Sequence, residues 1–383
     1  MSNTCNESVI LIYSFAIIKR ESDIMESVYI HVPFCTKICS YCDFPKIEAF
    51  DDFIGPYLDA LKKEITDKYN NELIKTLYIG GGTPSCLSPE NMKKLFAIIK
   101  IFNLDPINEF TFECNLSDIN ENFLRYLKDN GVNRLSIGIQ SFNKEKLLYM
   151  ERDSSFEDAL NAFHIARNLG FDNISIDLIY AIPEETAKVL KKDLDLFLKL
   201  KPDHISTYSL IVENHTKVGI RDLPINEDID ANFYEIILKA LTKHGFQHYE
   251  ISNFALPGKE SKHNLTYWNN EEYYGFGLGA HGYIYGVRYE NTRSITNYLN
   301  GKHRIKEEIQ GKKETMENEL ILGLRKMSGI NLAEFYKKYE INMQEVFPIK
   351  ELTSNGNLIY KNGYISISPD KIYLMNEILL KLI

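Results

Sequence analysis

Cys35, Cys39 and Cys42 fall within eight residues of the stretch HVPFCTKICSYCDF, and the place two positions after the third is taken by Phe44. Thiols at the spacing C-x3-C-x2-C are ligands for a metal or a cluster rather than disulfide partners. A structural zinc site is closed and four-coordinate, so zinc would have to recruit His31 or a remote side chain. A [4Fe–4S] cluster takes four thiolates, and with three one iron keeps an open position that a small molecule can chelate. Cys5, Cys86 and Cys114 lie scattered elsewhere; six cysteines in 383 residues make no disulfide framework and fit a reducing, cytoplasmic setting.

Other groups along the chain could act beside such a cluster. Gly80-Gly81-Gly82-Thr83-Pro84-Ser85 lacks the Lys-Ser/Thr of a phosphate loop, but consecutive glycines let backbone approach a ligand closely. A tight strand-to-helix turn is the plainer reading of the same residues. Glu113, Gln140, Arg152 and Asp177 are polar groups at or just beyond apolar runs, where they must be paired or face a cavity. Salt bridges across the mouth of the fold are the structural alternative. His263, in the stretch HNLTYW, is an imidazole able to ligate a metal, followed by Tyr267 and the single Trp268. A histidine in a loop is otherwise a solvated or hydrogen-bonded residue. GLGAHG (277–282) matches G-x-G-x-x-G but leads into β-like YIYG with no acidic residue about twenty further on, so it is no dinucleotide site. It reads as a flexible loop beside the ligand, with His281 a second histidine in reach.

These residues must be positioned by repeated βα units. Six β-rich runs (28–32, 76–82, 109–115, 134–141, 173–180 and 204–210) alternate with five amphipathic segments that start near Ser, Asp or Pro and stop near Gly or Asn. This predicts a parallel sheet with right-handed crossovers. Each run ends in unusual chemistry: the cysteine loop, the glycines, Glu113, Gln140, Asp177 and Tyr208. Six successive decorated strand ends predict an α/β fold of the (β/α)6 partial TIM-like barrel type, with the site at the C-terminal ends of the strands. The expected organisation is a leader (1–25), the barrel (26–225), an α+β extension carrying HNLTYW (226–311) and a winged-helix-like module (312–383) with a hairpin turned at Asn362-Gly363 and a closing helix.

The cysteine spacing, with Tyr41 before the last thiol, resembles the radical S-adenosylmethionine (SAM) superfamily. Together with YIGGGTPS, SIGIQSF, ISIDLIYAIP and HNLTYW, it is similar to the oxygen-independent coproporphyrinogen III oxidase-like branch of that superfamily, from Val28 to the C-terminus. The resemblance implies a [4Fe–4S] cluster on Cys35, Cys39 and Cys42, with SAM on the open iron. Its contacts would come from Tyr29, Tyr41, Gly81, Gly82, Thr83, Glu113, Gln140, Arg152 and Asp177. Within the branch the oxidases carry a further cysteine at the place of Phe44, whereas a haem-chaperone subgroup has C-x3-C-x2-C-x-F with the HNxxYW motif, both present here. The implied function is haem binding at His263 and delivery to haem-acceptor proteins, with oxidative decarboxylation of coproporphyrinogen as the alternative. An electron donor, a homodimer and transient membrane contact are compatible with either reading and specified by neither.

Composition narrows the partners. The chain is 44% apolar and 25% charged with a net charge of −9, which suits a soluble globular protein and argues against a general nucleic-acid binder. The apolar run Val9–Ile18 is too short to span a bilayer and lacks the flanks of a signal peptide. Met25 precedes the first strand directly and is the expected natural start.

Overall fold

The computed structural model describes residues 26–104, 106–214, 216–220 and 227–382. The expectations for residues 1–25 lie outside these.

All six anticipated strands form: β1 (Ser27–Val32), β2 (Thr76–Gly81), β3 (Glu109–Asn115), β4 (Arg134–Gln140), β5 (Ile174–Tyr180) and β6 (His204–Ser209). Each pairs with the next in parallel. The connecting helices are Asp51–Lys68, Pro89–Ile99, Glu121–Asp129, Phe156–Asn168 and Ala187–Lys199, and all but the first start at a capping side chain. Ser88, Asn120, Ser155 and Thr186 accept from backbone N–H groups of the first turns, satisfying donors the helix cannot.

The sheet is wider than six strands. β7 (Gln247–Glu250) and β8 (Asn253–Ala255) continue it antiparallel beyond β6, and β9 (Tyr274–Phe276) joins parallel to β1. The strand order is β9-β1-β2-β3-β4-β5-β6-β8-β7, a nine-stranded sheet with two separate edges, hence a partial barrel.

The strands alternate by face. Val28, Ile30 and Val32, then Leu77 and Ile79, Phe110 and Phe112, and Leu135, Ile137 and Ile139 are fully buried in the core that the helices cover. At about 1.5–3 kcal/mol per large side chain, this layer holds the barrel together. The residues between them face the concave side and are polar or aromatic, as Tyr29, Tyr78, Glu113, Ser136, Asp177 and Ser206 show.

Two segments differ from expectation. HNLTYW is not a loop: Ser261 caps a helix over Lys262–Trp268 whose backbone and side chains pack against the barrel. Residues 277–280 are not a flexible loop either. Gly277 (φ 101°) passes so close to β1 that a Cβ would stand 2.4 Å from the carbonyl of His31, and one at Gly279 (φ 67°) would meet Pro45 at 2.3 Å. The segment leads into a three-stranded antiparallel sheet of His281–Ile284, Val287–Asn291 and Arg304–Ile309.

The C-terminal residues build a second core around Leu320, Phe335, Leu352 and Ile365. Its sheet joins Ile330–Asn331, Tyr364–Ile367 and Leu358–Lys361, with helices before and after. Asn362 and Gly363 turn the hairpin with positive φ at both positions, as a two-residue turn between twisted strands requires.

Candidate functional site

The barrel's concave face opens into a cavity of about 710 Å³ at the C-terminal ends of the strands. Cys35, Cys39 and Cys42 all line it, on the loop that leaves β1. The loop is held at both ends by backbone hydrogen bonds. Thr83 N–H donates to the Phe34 carbonyl at 2.8 Å and Ala49 N–H to the Cys35 carbonyl at 2.9 Å. In the middle, Ser40 donates through Oγ to the Tyr149 carbonyl at 2.8 Å and through N–H to the Met150 carbonyl at 3.2 Å.

The thiols carry donors. Thr83 Oγ1 donates to Cys35 Sγ and Arg152 Nη1 to Cys39 Sγ, both at 3.5 Å. Burial pushes the Cys35 thiol up to about 11, with the Thr83 bond offsetting part of the rise. The thiolate becomes the stable form only beside a cation, which iron supplies. Among the described residues no three His, Cys, Asp or Glu side chains converge on one point. The three thiols are free and line one cavity. The donor set and the donors aimed at sulfur fit a cluster.

The other predicted residues gather on the same cavity. Each glycine of the triplet makes room for something different. A Cβ at Gly80 would stand 2.7 Å from the Glu113 carboxyl, one at Gly81 (φ 120°) 2.8 Å from the His31 ring, and one at Gly82 2.7 Å from the Pro33 and Phe34 backbone. Glu113 accepts from Tyr78 Oη at 2.7 Å and from Gly81 N–H at 3.0 Å. Burial pushes its carboxyl up to about 7, with the charge of Asp177 adding to the rise. Burial likewise raises Asp177 to about 6 against the hydrogen bond from Ser206 and the pull of Arg134 and Arg152. An incoming cation would favour the ionised form of both.

Arg152 donates to the Asn115 side chain at 3.2 Å and to the Gly138 carbonyl, so one guanidinium ties the cluster loop to β3 and β4. Gln140 sits at φ 71°, beside a register shift between β4 and β5. A residue with a side chain is uncommon in that region, and this one lines the cavity. Tyr29 and Tyr41 line the cavity as well, and burial raises the pKa of both hydroxyls.

His263 is placed differently. It is fully buried at the opposite end of the strands, with Nδ1 bonded to Thr76 Oγ1 at 2.9 Å and Nε2 to Tyr267 Oη at 2.7 Å. Glu109, the first residue of β3, accepts from the N–H groups of Lys262 and His263 and so caps the helix. Ser27 and Thr266 add a bond at 2.9 Å. The HNLTYW helix thus floors the barrel, and Tyr267, not His263, reaches the cavity. Burial lowers His263 to about 3, which keeps it neutral.

Several lining residues escaped the sequence reading: Tyr78, Arg134, Ser136, His204 and Ser206. The signal was present as alternation. Parallel strands buried on both faces are normally apolar throughout, whereas here every second residue of RLSIGIQ and HISTYS is polar or glycine.

Comparisons with known proteins agree with this geometry. The radical SAM superfamily model matches residues 29–197, and the HemN C-terminal domain model matches 311–373. In fold the chain is similar to coproporphyrinogen III oxidase (HemN) from Escherichia coli, with a TM-score of 0.82 over 98% of this chain and 93% of that one at 22% identity. Fold, cysteine loop and barrel mouth together define a radical SAM protein, a class built around a [4Fe–4S] cluster and SAM. The chain is 42% identical to the heme chaperone HemW of Lactococcus lactis over 88% of its own length and 91% of the relative's. It is 39% identical to the heme chaperone HemW of Bacillus subtilis, over 92% and 98% respectively. The chain belongs to the HemW family.

Proposed function

We propose that this protein is a haem chaperone that binds haem and passes it to acceptor proteins, with a [4Fe–4S] cluster and SAM as resident cofactors. The carrying observation is near-full-length similarity to relatives named heme chaperone HemW, joined to Phe44 at the place where the oxidases have another cysteine. Cys35, Cys39 and Cys42 hold the cluster, and the cluster when bound offers an open iron that anchors SAM. Glu113 and Asp177 receive the cationic parts of SAM; Gly81, Gly82 and Thr83 present backbone to its amino-acid end. Tyr29, Tyr41, Gln140 and Arg152 complete its contacts. In this reading SAM and the cluster serve regulation or homodimer formation, an electron donor is a further partner, and the protein works in the cytoplasm, touching membranes only in passing. Among the described residues no helix is long and apolar enough to cross a membrane.

The test is anaerobic. Protein reconstituted with iron and sulfide is titrated with haem, then mixed with a haem-free acceptor, and in parallel assayed for protoporphyrinogen formation from coproporphyrinogen. Stoichiometric haem binding with transfer and no oxidase product is the expected result. Absence of haem binding, or oxidase turnover that Cys39→Ala abolishes, refutes the chaperone reading.

A further inference from the structure

Among the imidazoles of this chain, only one that iron can reach could hold a haem. Three buried histidines are committed elsewhere. His31 bonds Tyr29 Oη at 2.9 Å and the Pro45 carbonyl at 2.7 Å. His204 bonds Ser175 Oγ and Tyr249 Oη, both at 2.8 Å. His263 has both nitrogens engaged beneath the barrel floor and would have to break two bonds and leave its helix.

His281 differs from all three. It lines the outer part of the cavity, its side chain is 58% exposed, and among the described residues it makes no hydrogen bond. Glu290, directly opposite on the neighbouring strand, stands 3.9 Å from Nε2, close enough to orient the ring on a small movement. The close approaches of Gly277 to β1 and of Gly279 to Pro45 set this strand end against the cluster loop. The surroundings suit a flat apolar ligand with acidic edges. Phe44 is 67% and Ile211 68% exposed, and both line the same mouth. Lys37, Lys46 and Arg293 line it too, and they can meet two carboxylates.

We infer that His281 is the protein's axial ligand to haem, which lies across the outer mouth against Phe44 and Ile211 with its propionates toward Lys37, Lys46 and Arg293. The inference rests on the haem-chaperone reading and assigns where and how that haem is held. The inner, polar half of the cavity is left to SAM. Burial and the nearby Arg293 and Lys306 charges hold His281 below the usual histidine range despite Glu290, so at neutral pH the ring is in its ligating form.

The test uses the full chain with its cluster reconstituted, titrated with haem and followed by visible and resonance Raman spectra. His281→Ala, an exposed position, should weaken haem binding by about tenfold or more and remove the histidine-ligated spectrum. Free imidazole should restore that spectrum, and His263→Phe with intact cluster absorbance should leave it unchanged. If His281→Ala binds with wild-type affinity and spectrum, or if His263→Phe alone abolishes ligation while its cluster and unfolding temperature are preserved, this assignment is wrong. If the wild-type protein binds no haem, the chaperone reading itself falls.

Discussion

Replacing Glu113 by glutamine removes a charge without changing shape, and the structure states what that does. The folded protein raises this carboxyl from 4.5 to about 7, chiefly by burial. At about 1.4 kcal/mol per unit, ionising it costs about 3 kcal/mol. Because the folded value lies above the unfolded one, this contribution to stability is fully present below 4.5 and is lost as pH rises through about 7. Glutamine can accept from Gly81 N–H with its carbonyl and donate to Tyr78 Oη with its amide, so both contacts survive with one reversed. Allowing about 1 kcal/mol for that reversal, the cofactor-free variant should be more stable than wild type by about 2 kcal/mol at pH 8 and no more stable near pH 4.5. Asp177, raised to about 6, stays in both proteins and adds its own slope to each. Cofactor binding should move the other way. Losing a charge-assisted contact of about 1.5–3 kcal/mol weakens SAM binding by roughly ten- to a hundredfold at pH 8. Denaturant unfolding of the cofactor-free protein across pH 4.5–8.5, and calorimetric SAM titration of the cluster-loaded protein, read the two effects. Superimposed unfolding profiles, or equal SAM affinity at pH 8, would refute the reasoning.

Two further substitutions probe how the cluster loop is held. Gly82→Ala puts a Cβ 2.7 Å from the Pro33 and Phe34 backbone. It should cost about 1–3 kcal/mol in denaturant unfolding and lower the iron retained after reconstitution, read from the brown cluster absorbance. Lys146 is buried between Glu185 at 2.6 Å and Asp193 at 3.0 Å, on the short helix (Lys144–Tyr149) whose end binds Ser40. Lys146→Met leaves two buried carboxylates facing each other and should cost about 3–5 kcal/mol, with a cluster more readily lost to chelator than in wild type.

The strands illustrate how much was legible. Their positions follow from short β-rich runs between capped amphipathic segments, and these are local properties that the chain carries whatever its fold. The cofactor class was legible for the same reason: three thiols on one loop are neighbours by sequence alone. Phe44 and the Asn362-Gly363 turn also act locally. β9 and the antiparallel pair β7 and β8 were not expected as parts of the main sheet, because their pairing depends on partners far away in the chain.

His263 and His281 mark the other limit. Both are histidines close to aromatic residues in the sequence, and nothing local tells which ring is left free. Only the packed barrel puts one beneath its floor, where Thr76 and Tyr267 take both ring nitrogens, and the other on the rim with its ring exposed. The same holds for Lys146 with Glu185 and Asp193, and for the raised carboxyls of Glu113 and Asp177. Spacing along the chain chose the chemistry, since ligand sets are short-range. Burial chose which residues are free to perform it, since desolvation and hydrogen-bond partners come from segments that meet only when the chain has folded.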